Sequence, residues 1–463
     1  MSGTIPPEFG IFVRNFENFT SNRFKLEAQS GTTGAPGNIV SVLLPDNSII
    51  DLKSLRFLFD LKGKDLGSEG YSVPGNDIRG VIQSLAVFIN GVAVEQNMPD
   101  YNTLVRVLET AQNNTNRRGT VDNVLSNGIM YAGTTLTEAP HASYCIDQWR
   151  GFLGENTMRY IDTSLFGSIQ IRITLAPGAA VVCPYSKNAP VGFSDISNCA
   201  TEIQAGKLSY ELTNIHFTVD CISLGFDYGR MLREAQQNFG VLPVNYREYY
   251  NYPMANQSST TYTNRFQLGT QSLNALYGIT RPAKYDLGGV QSKDYVAGSA
   301  GTWAGATENT YAVGDTAFTN GYYTFPSLTD ISTQNKADLN GTFEYFWNCN
   351  NVQYPQTPGT AIQAAADLTF NTDKNDVKRD FGTLVTTMGD FKQSKFIIPL
   401  RLAFNDDVAL MSGYNTRGIN SSISLTIRNL DTALANQGYV SQLFASTTAT
   451  LRAEPGKALA ISF

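Results

Sequence analysis

Hydrophobic and polar side chains alternate along long stretches of this chain, with a period of two residues. In residues 55–61 every odd position carries Leu or Phe, and the even positions include Arg and Asp. Residues 169–175, 215–221 and 423–427 alternate in the same way, with mostly aliphatic or aromatic side chains at the odd positions. Because successive side chains of a strand point to opposite faces of a sheet, this period predicts half-buried β-strands.

Local signals add a hairpin and a few short helices to these strands. Asn90-Gly91 stands between two apolar runs, and this dipeptide favours the two-residue type I′ turn of a β-hairpin. Apolar residues recur at helical spacing over 104–111, and Asp100 precedes them as a candidate N-cap. A further helix is predicted over residues 227–240. The strands dominate, and the helices interrupt them.

The length of the chain indicates two packed units. At 463 residues it exceeds the size at which a single hydrophobic core usually stops growing. The second half repeats the organisation of the first, since residues 423–427 alternate much as residues 169–175 do. We therefore predict an all-β chain with an N-terminal arm at 1–38, a first β unit at 39–226, a connecting helix at 227–240, and a second β unit at 241–463 with a long surface loop at 286–341.

Charge and cysteine content narrow the class of protein. The formal net charge of −6 argues against a protein that mainly grips a phosphate backbone. The arm carries only Arg14, Arg23 and Lys25 as cations, so it gives weak support for contact with a genome or an inner membrane. The five cysteines are odd in number and form no CxxC pair, which favours reduced thiols and assembly inside a cell. The start lacks a signal-peptide pattern, and no apolar run approaches the ~20 residues that span a bilayer.

Catalytic chemistry finds little support in the sequence. The chain has two histidines, His141 and His216, which are too few and too far apart for a cupin-type metal centre. No phosphate-binding loop, nucleophile elbow or HExxH motif is present. We therefore predict no catalytic, cofactor-binding or metal-binding residues, no cofactor, and a protein that is not an enzyme.

Two polar features near the middle of the chain admit more than one interpretation. Asp227, Glu234, Arg247 and Glu248 could form a charge cluster at the unit boundary, although solvated faces and ordinary ion pairs are the favoured interpretation. The tyrosine-rich stretch 246–252 could be a stacking platform for bases or sugars. We favour a strand whose tyrosine hydroxyls lie at an interface.

Several sequence blocks, taken in order, resemble a known family. "NIVSVLLPDNSIIDLKSLRFLFDLKG" is followed by "GVIQSLAVFINGVAVEQNMPDYNTLVRVLETA", in which Glu95, Tyr101, Asn102 and Leu104 carry the similarity. "SLFGSIQIRITLAP" and "RFQLGTQSLNALYGITRP" follow at corresponding places. This succession resembles the double jelly-roll major capsid proteins of Polinton-like viruses, adintoviruses and virophages. Loop 286–341 has no matching counterpart.

The resemblance implies a fold, partners and a location. The fold would be two tandem eight-stranded jelly-rolls with a few short helices. The chain would form pseudo-hexameric homotrimers that tile the icosahedral shell of a DNA virus, with penton and minor capsid proteins as further partners. It would be synthesised and assembled inside the host cell and reside in the virion. The alternative is a glycan- or receptor-binding viral fibre or lectin-like β protein, which would bind sugar and form no lattice.

Overall fold

The computed structural model covers most of the chain, with several gaps. It describes residues 20–65, 70–74, 78–111, 141–186, 208–223, 234, 240–283, 321–323, 325–328, 343–371, 391–392, 395–405, 407–417, 422–431, 435–436 and 438–462.

The first half forms two facing sheets and a small third one. Its strands in the described residues are β1 (Thr20–Glu27), β2 (Ile39–Leu43), β3 (Ile49–Gly63), β4 (Gly70–Pro74), β5 (Ile82–Ile89), β6 (Val92–Met98), β7 (His141–Ile146), β8 (Tyr160–Asp162), β9 (Ile169–Leu175), β10 (Val182–Ser186) and β11 (Tyr210–Ser223). One sheet has the order β1-β11-β3-β7, with β8 also on β3; the other has the order β2-β9-β5-β6. Strands β4 and β10 pair separately.

The second half repeats this arrangement. Its described strands are β12 (Leu242–Pro253), β13 (Tyr262–Gln267), β14 (Leu273–Pro282), β15 (Glu344–Cys349), β16 (Val352–Gly359), β17 (Ile398–Arg401), β18 (Ser422–Arg428), β19 (Tyr439–Glu454) and β20 (Ala458–Ser462). The sheet orders are β12-β19-β14-β17 and β13-β18-β15-β16, and β20 extends the first by pairing with β19.

Both halves have jelly-roll topology. When the strands that form the two main sheets are counted from first to eighth along each half, omitting β4, β8, β10 and β20, both halves give the orders 1-8-3-6 and 2-7-4-5. This is the double Greek key of a jelly-roll, in which antiparallel strands alternate between two facing sheets. The predicted fold of two tandem eight-stranded jelly-rolls is confirmed.

Helices are few and short in the described residues: α1 (Tyr101–Ala111), α2 (Thr163–Phe166), α3 (Gly178–Val181) and α4 (Ala361–Asn371), with single 3-10 turns at Ile78–Val81, Gly151–Leu153 and Gly321–Tyr323. Helix α1 follows the fifth strand of the first jelly-roll, and α4 follows the fifth strand of the second. Helix α1 was predicted, but α4 was not. Its alanine run favours a helix, and the Thr360 hydroxyl accepts a hydrogen bond from the Gln363 amide at 3.4 Å.

The alternating strands supply the cores, as the pattern predicts. The odd residues of 55–61, 169–175 and 423–427 are at most 1% exposed. In the first core the rings of Phe57 and Phe217, from neighbouring strands, stack with centroids 4.8 Å apart. Asn90 and Gly91 both have positive φ, 48° and 80°, between β5 and β6, which confirms the predicted hairpin.

Two local predictions are wrong. Residues 20–27 of the predicted arm form β1, which pairs along its length with β11. Its side chains are exposed except for a partly buried Leu26, so no alternation marks it, and backbone pairing together with a bidentate Arg23–Asp220 ion pair holds it. Asp100 does not cap α1 with its side chain, because both of its carboxylate oxygens accept hydrogen bonds from other side chains.

The long loop at 286–341 is not entirely on the surface. Within its described part, Tyr322, Phe325 and Leu328 are at most 5% exposed, and the Phe325 carbonyl accepts a hydrogen bond from the Phe396 amide at 2.7 Å. Apolar side chains thus anchor this stretch in the second jelly-roll. Most of the predicted connecting helix 227–240 lies outside the described residues. Of this range the structure describes Glu234, which is helical, and Gly240, which is not.

Candidate functional site at the junction of the two jelly-rolls

The first strand of the second jelly-roll is joined to the first jelly-roll by backbone hydrogen bonds. The Thr157 amide donates to the Asn245 carbonyl at 2.9 Å, and the Arg247 amide donates to the Glu155 carbonyl at 2.9 Å. Residues 155–157 therefore act as a short extra strand along the edge of β12. Directional backbone bonds of this kind fix the register of the two units.

Tyrosine side chains of β12 extend the junction. The Tyr246 hydroxyl donates to the Val94 carbonyl at 3.0 Å, and its ring meets that of Phe152 edge-on, with centroids 5.3 Å apart. The Tyr249 hydroxyl donates to Glu155 Oε2 at 2.7 Å. The interpretation of 246–252 as a strand with tyrosine hydroxyls at an interface is confirmed, and the interface is between the two jelly-rolls.

Asp100 links three elements across the same junction. Its Oδ1 accepts a hydrogen bond from Gln83 Nε2 at 2.6 Å, and its Oδ2 accepts from Asn251 Nδ2 at 2.8 Å and Gln442 Nε2 at 2.9 Å. Gln83 belongs to β5, Asn251 to β12 and Gln442 to β19. Hydrogen bonds to a charged acceptor are stronger than neutral ones, so Asp100 holds both strands of the second jelly-roll against the first.

One carboxylate of the junction is compensated by a cation. Arg150 Nη1 lies 3.0 Å from Glu155 Oε1, and Glu155 Oε2 also accepts a hydrogen bond from the Gly151 amide at 3.2 Å. The two side chains are 22% and 14% exposed, so the pair is largely removed from water. A pair this buried depends on both partners being present.

Two other carboxylates in the same region are buried without a cation. Glu248 accepts a hydrogen bond from the Tyr250 hydroxyl at 2.8 Å, and burial raises the pKa of its carboxyl to about 7. Glu95 is 1% exposed, and neither of its carboxylate oxygens makes a hydrogen bond. Burial, followed by the nearby charges of Glu248 and Glu155, raises the pKa of Glu95 well above its usual value.

The favoured interpretation of these charged residues as solvated is therefore wrong for Arg247 and Glu248. Arg247 and Glu248 are 4% and 3% exposed, because residues 155–157 and β6 cover β12. Glu234 is exposed, and Asp227 lies outside the described residues. The structure brings Glu95 close to Glu248 and Glu155, and the sequence marked neither Glu95 nor Glu155 as a junction residue.

Gly151 lies directly against the Glu95 carboxylate, where a larger residue would not fit. It has φ +73°, and a Cβ built there would overlap Glu95 Oε1. We expect Gly151→Ala to lower the free energy of unfolding by about 2 kcal/mol, through left-handed strain and displacement of the buried carboxylate. Urea titration followed by tryptophan fluorescence measures this loss. Gly91→Ala, also at positive φ (80°) but with open space around the glycine, is the matched control and should cost less.

The two jelly-rolls stand side by side with the same ends together. At one end, Tyr323 from the loop after β14 packs on Gly80, and the Arg106 guanidinium lies 5.3 Å from its ring centre. At the opposite end, Asn90 Nδ2 donates to the Lys457 carbonyl at 3.0 Å. The connections after the third, fifth and seventh strands of each unit therefore share one end. We call it the long-loop end, because the two longest connections of each unit lie there.

The described residues contain little that could perform chemistry. No group of three or more His, Cys, Asp or Glu side chains among them could hold a metal ion. His141 is exposed on β7, and His216 Nδ1 lies 2.8 Å from the carbonyl oxygen of Asn214. Cys145, Cys221 and Cys349 are free thiols. No helix in the described part of the chain is long and apolar enough to cross a membrane.

Comparisons with known proteins agree on the architecture. No family model matches the chain, and no curated protein matches it in sequence. Among solved structures, PBCV-1 VP54, as fitted into a cryo-EM reconstruction of the virophage Sputnik, has a TM-score of 0.58 and 12% identity over 97% of this chain and 98% of that chain. The quasi-atomic model of the PBCV-1 virus capsid has a TM-score of 0.56 and 13% identity, over 97% of this chain and 98% of that chain. The Faustovirus major capsid protein has a TM-score of 0.51 and 8% identity, over 94% of this chain and 90% of that chain.

These similarities span nearly the whole of both chains, at identities that carry information on fold alone. The strand orders of this chain are, independently of these similarities, those of two jelly-rolls. The chain therefore has the double jelly-roll fold of virus major capsid proteins.

Proposed function

We propose that this protein is the structural subunit of a virus shell, forming pseudo-hexameric trimers that tile an icosahedral capsid. The observation that carries the proposal is the pair of jelly-rolls fixed side by side in one orientation by the junction. Three such subunits around a three-fold axis present six similar barrels. A trimer of this kind fills a six-fold lattice position, which a single-barrel trimer does not.

The shared long-loop end supports an upright arrangement of the barrels. The two longest connections of each unit lie at that end, whereas those between the sixth and seventh strands lie at the other. Barrels that stand perpendicular to a shell present one end outward and one inward, and their sides are free for contacts between subunits. We infer that the long loops face outward and that the sides of the barrels form the trimer.

An exposed apolar group marks a candidate contact with a second copy of this chain. Phe404 is 94% exposed, Leu410 50% and Met411 39%, all on the connection between β17 and β18. Hydrogen bonds tie described residues beside this group together, since the Asn405 amide donates to Ser412 Oγ at 2.9 Å. Rigid aromatic side chains without cover are typical anchors of protein interfaces.

Phe404→Ser should weaken self-association without weakening the fold. The side chain contributes almost nothing to the core, so we expect a change in unfolding free energy within about 0.5 kcal/mol. Loss of an interface anchor should weaken association about tenfold or more. Sedimentation equilibrium of the variant beside wild type measures the association, and thermal unfolding measures the fold. Equal association constants would remove Phe404 from the proposed contact.

The proposal includes partners and a location. Penton and minor capsid proteins would complete the shell, the virion would be the site of action, and synthesis would take place in the host cell. The role is structural and not enzymatic. The N-terminal arm, shortened by β1 to residues 1–19, would be the segment for a weak contact with genome or inner membrane.

Solution mass tests the trimer directly. Sedimentation velocity at micromolar concentration should give one species with three times the chain mass of 50.6 kDa. A monomer at this concentration contradicts the proposal. Glycan binding by such a monomer would instead identify a lectin-like or fibre protein.

A further inference from the structure

We propose that the junction is a proton-dependent latch: Glu95 carries a proton while the two jelly-rolls are docked, and its ionisation releases β12 from β6 and residues 150–157. The latch belongs to the single chain, so it does not depend on the proposed capsid role.

The geometry around Glu95 leaves its carboxylate with little compensation. The side chain is 1% exposed, and both oxygens lie in the interior without a hydrogen bond. The backbone of Phe152 lies close enough to offset only a little of this burial. Gly151 closes the space beside Oε1, as its overlap with a built Cβ shows. A buried charge in such a place is costly, whereas a neutral carboxylic acid is tolerated.

Three elements near Glu95 contribute charged or titratable neighbours, whereas β5 places Val87 opposite it. Strand β12 contributes Glu248, whose charge opposes ionisation of Glu95. The 150–157 segment contributes Glu155, which also opposes it and whose own carboxylate is paired with Arg150. Helix α1 contributes Tyr101, whose hydroxyl accepts a hydrogen bond from the Arg150 amide.

The remaining β12 side chains give Glu95 no cation or hydrogen-bond donor. The hydroxyls of Tyr246 and Tyr249 donate to the Val94 carbonyl and to Glu155, and Arg247 Nη1 donates to Thr448 Oγ1 at 3.1 Å. The charges that act on Glu95 are therefore the two carboxylates of Glu248 and Glu155.

The sign of the pH effect follows from the direction of the pKa shifts. The pKa of Glu95 is raised in the docked state and returns toward its ordinary value of 4.5 when the junction opens to water. At a pH above 4.5, opening of the junction therefore lets Glu95 lose its proton. The docked state consequently loses stability relative to the open state as the pH rises. Glu248 acts in the same direction only up to its docked pKa of about 7. Above pH 7 the contribution of Glu248 has ended, so a slope that persists there belongs to Glu95.

Hydrogen exchange of the intact chain, measured by mass spectrometry between about pH 7 and pH 9, tests the latch. After correction for the intrinsic rate, we expect the opening equilibrium of peptides covering 92–98, 150–157 and 242–253 to rise about tenfold per pH unit. In Glu95→Gln the rise should vanish. Glu454→Gln, which removes the same charge from an exposed site, should keep it.

Three results would overturn the proposal: a wild-type junction whose corrected opening does not change with pH, a Glu95→Gln chain that keeps the slope, or a Glu454→Gln chain that loses it. If Glu95→Gln fails to fold, isotope-edited infrared spectroscopy of wild type with labelled glutamate decides. A protonated carboxyl band at about pH 8.5, where Glu248 is ionised, supports the latch, and its absence contradicts it.

Discussion

Trp347→Ala should lower the free energy of unfolding by about 3–5 kcal/mol, the largest loss expected from a single substitution in this chain. Trp347 lies on β15 and is 0% exposed. It packs across the second jelly-roll, where a Cβ built on Gly278 of the facing sheet would lie 3.5 Å from Trp347 Cζ2. Truncation leaves a cavity between the two sheets that the close-packed surroundings cannot fill.

Equilibrium denaturation in guanidinium chloride, followed by circular dichroism, measures this loss. Phe404→Ala is the matched control, because it also truncates a large aromatic residue but at a site that is 94% exposed. Its unfolding free energy should stay within about 0.5 kcal/mol of wild type. Equal effects of the two substitutions would mean that Trp347 does not stand in the core.

Arg150→Met should cost about 2–4 kcal/mol by leaving Glu155 largely buried without its cation. The side chains of the pair are mostly buried, so solvent screening reduces the cost only in part. The Tyr249 hydroxyl and the Gly151 amide still donate to Glu155, but they carry no charge. Methionine keeps the volume of the arginine stem, which separates the loss of charge from a loss of packing.

A second substitution separates charge from geometry in this pair. In the double variant Arg150→Met, Glu155→Gln, the buried charge is absent, and we expect about half or more of the loss to be recovered. Thermal unfolding of the four chains in a double-mutant cycle gives the coupling energy. Full additivity of the two substitutions would show that the Arg150–Glu155 contact does not stabilise the junction.

The sequence predicted the cores well because their pattern is local. Residues 55–61 and 169–175 alternate with a period that only a strand satisfies, and Asn90-Gly91 has a turn conformation of its own. The repeat of these patterns across two halves indicated two units, and the order of the sequence blocks indicated jelly-rolls. Both conclusions depend on residues close together in the chain.

The junction could not be predicted, because residues distant in sequence create it. Glu95 follows Val94 in a strand with one apolar face, so the sequence assigns it to the solvent face; β12 and residues 150–157 then cover that face. Asp100 has the position of an N-cap, but partners from β12 and β19 bind its carboxylate instead. Strand β1 lacks a buried face altogether, so no pattern marks it.

Electron microscopy of the purified protein shows whether it is a capsid subunit. We expect trimers with a hexagonal outline, six barrels seen end-on, and sheets or closed shells of these trimers at high concentration. Compact single particles with two barrels that neither trimerise nor form a lattice at any concentration would contradict it.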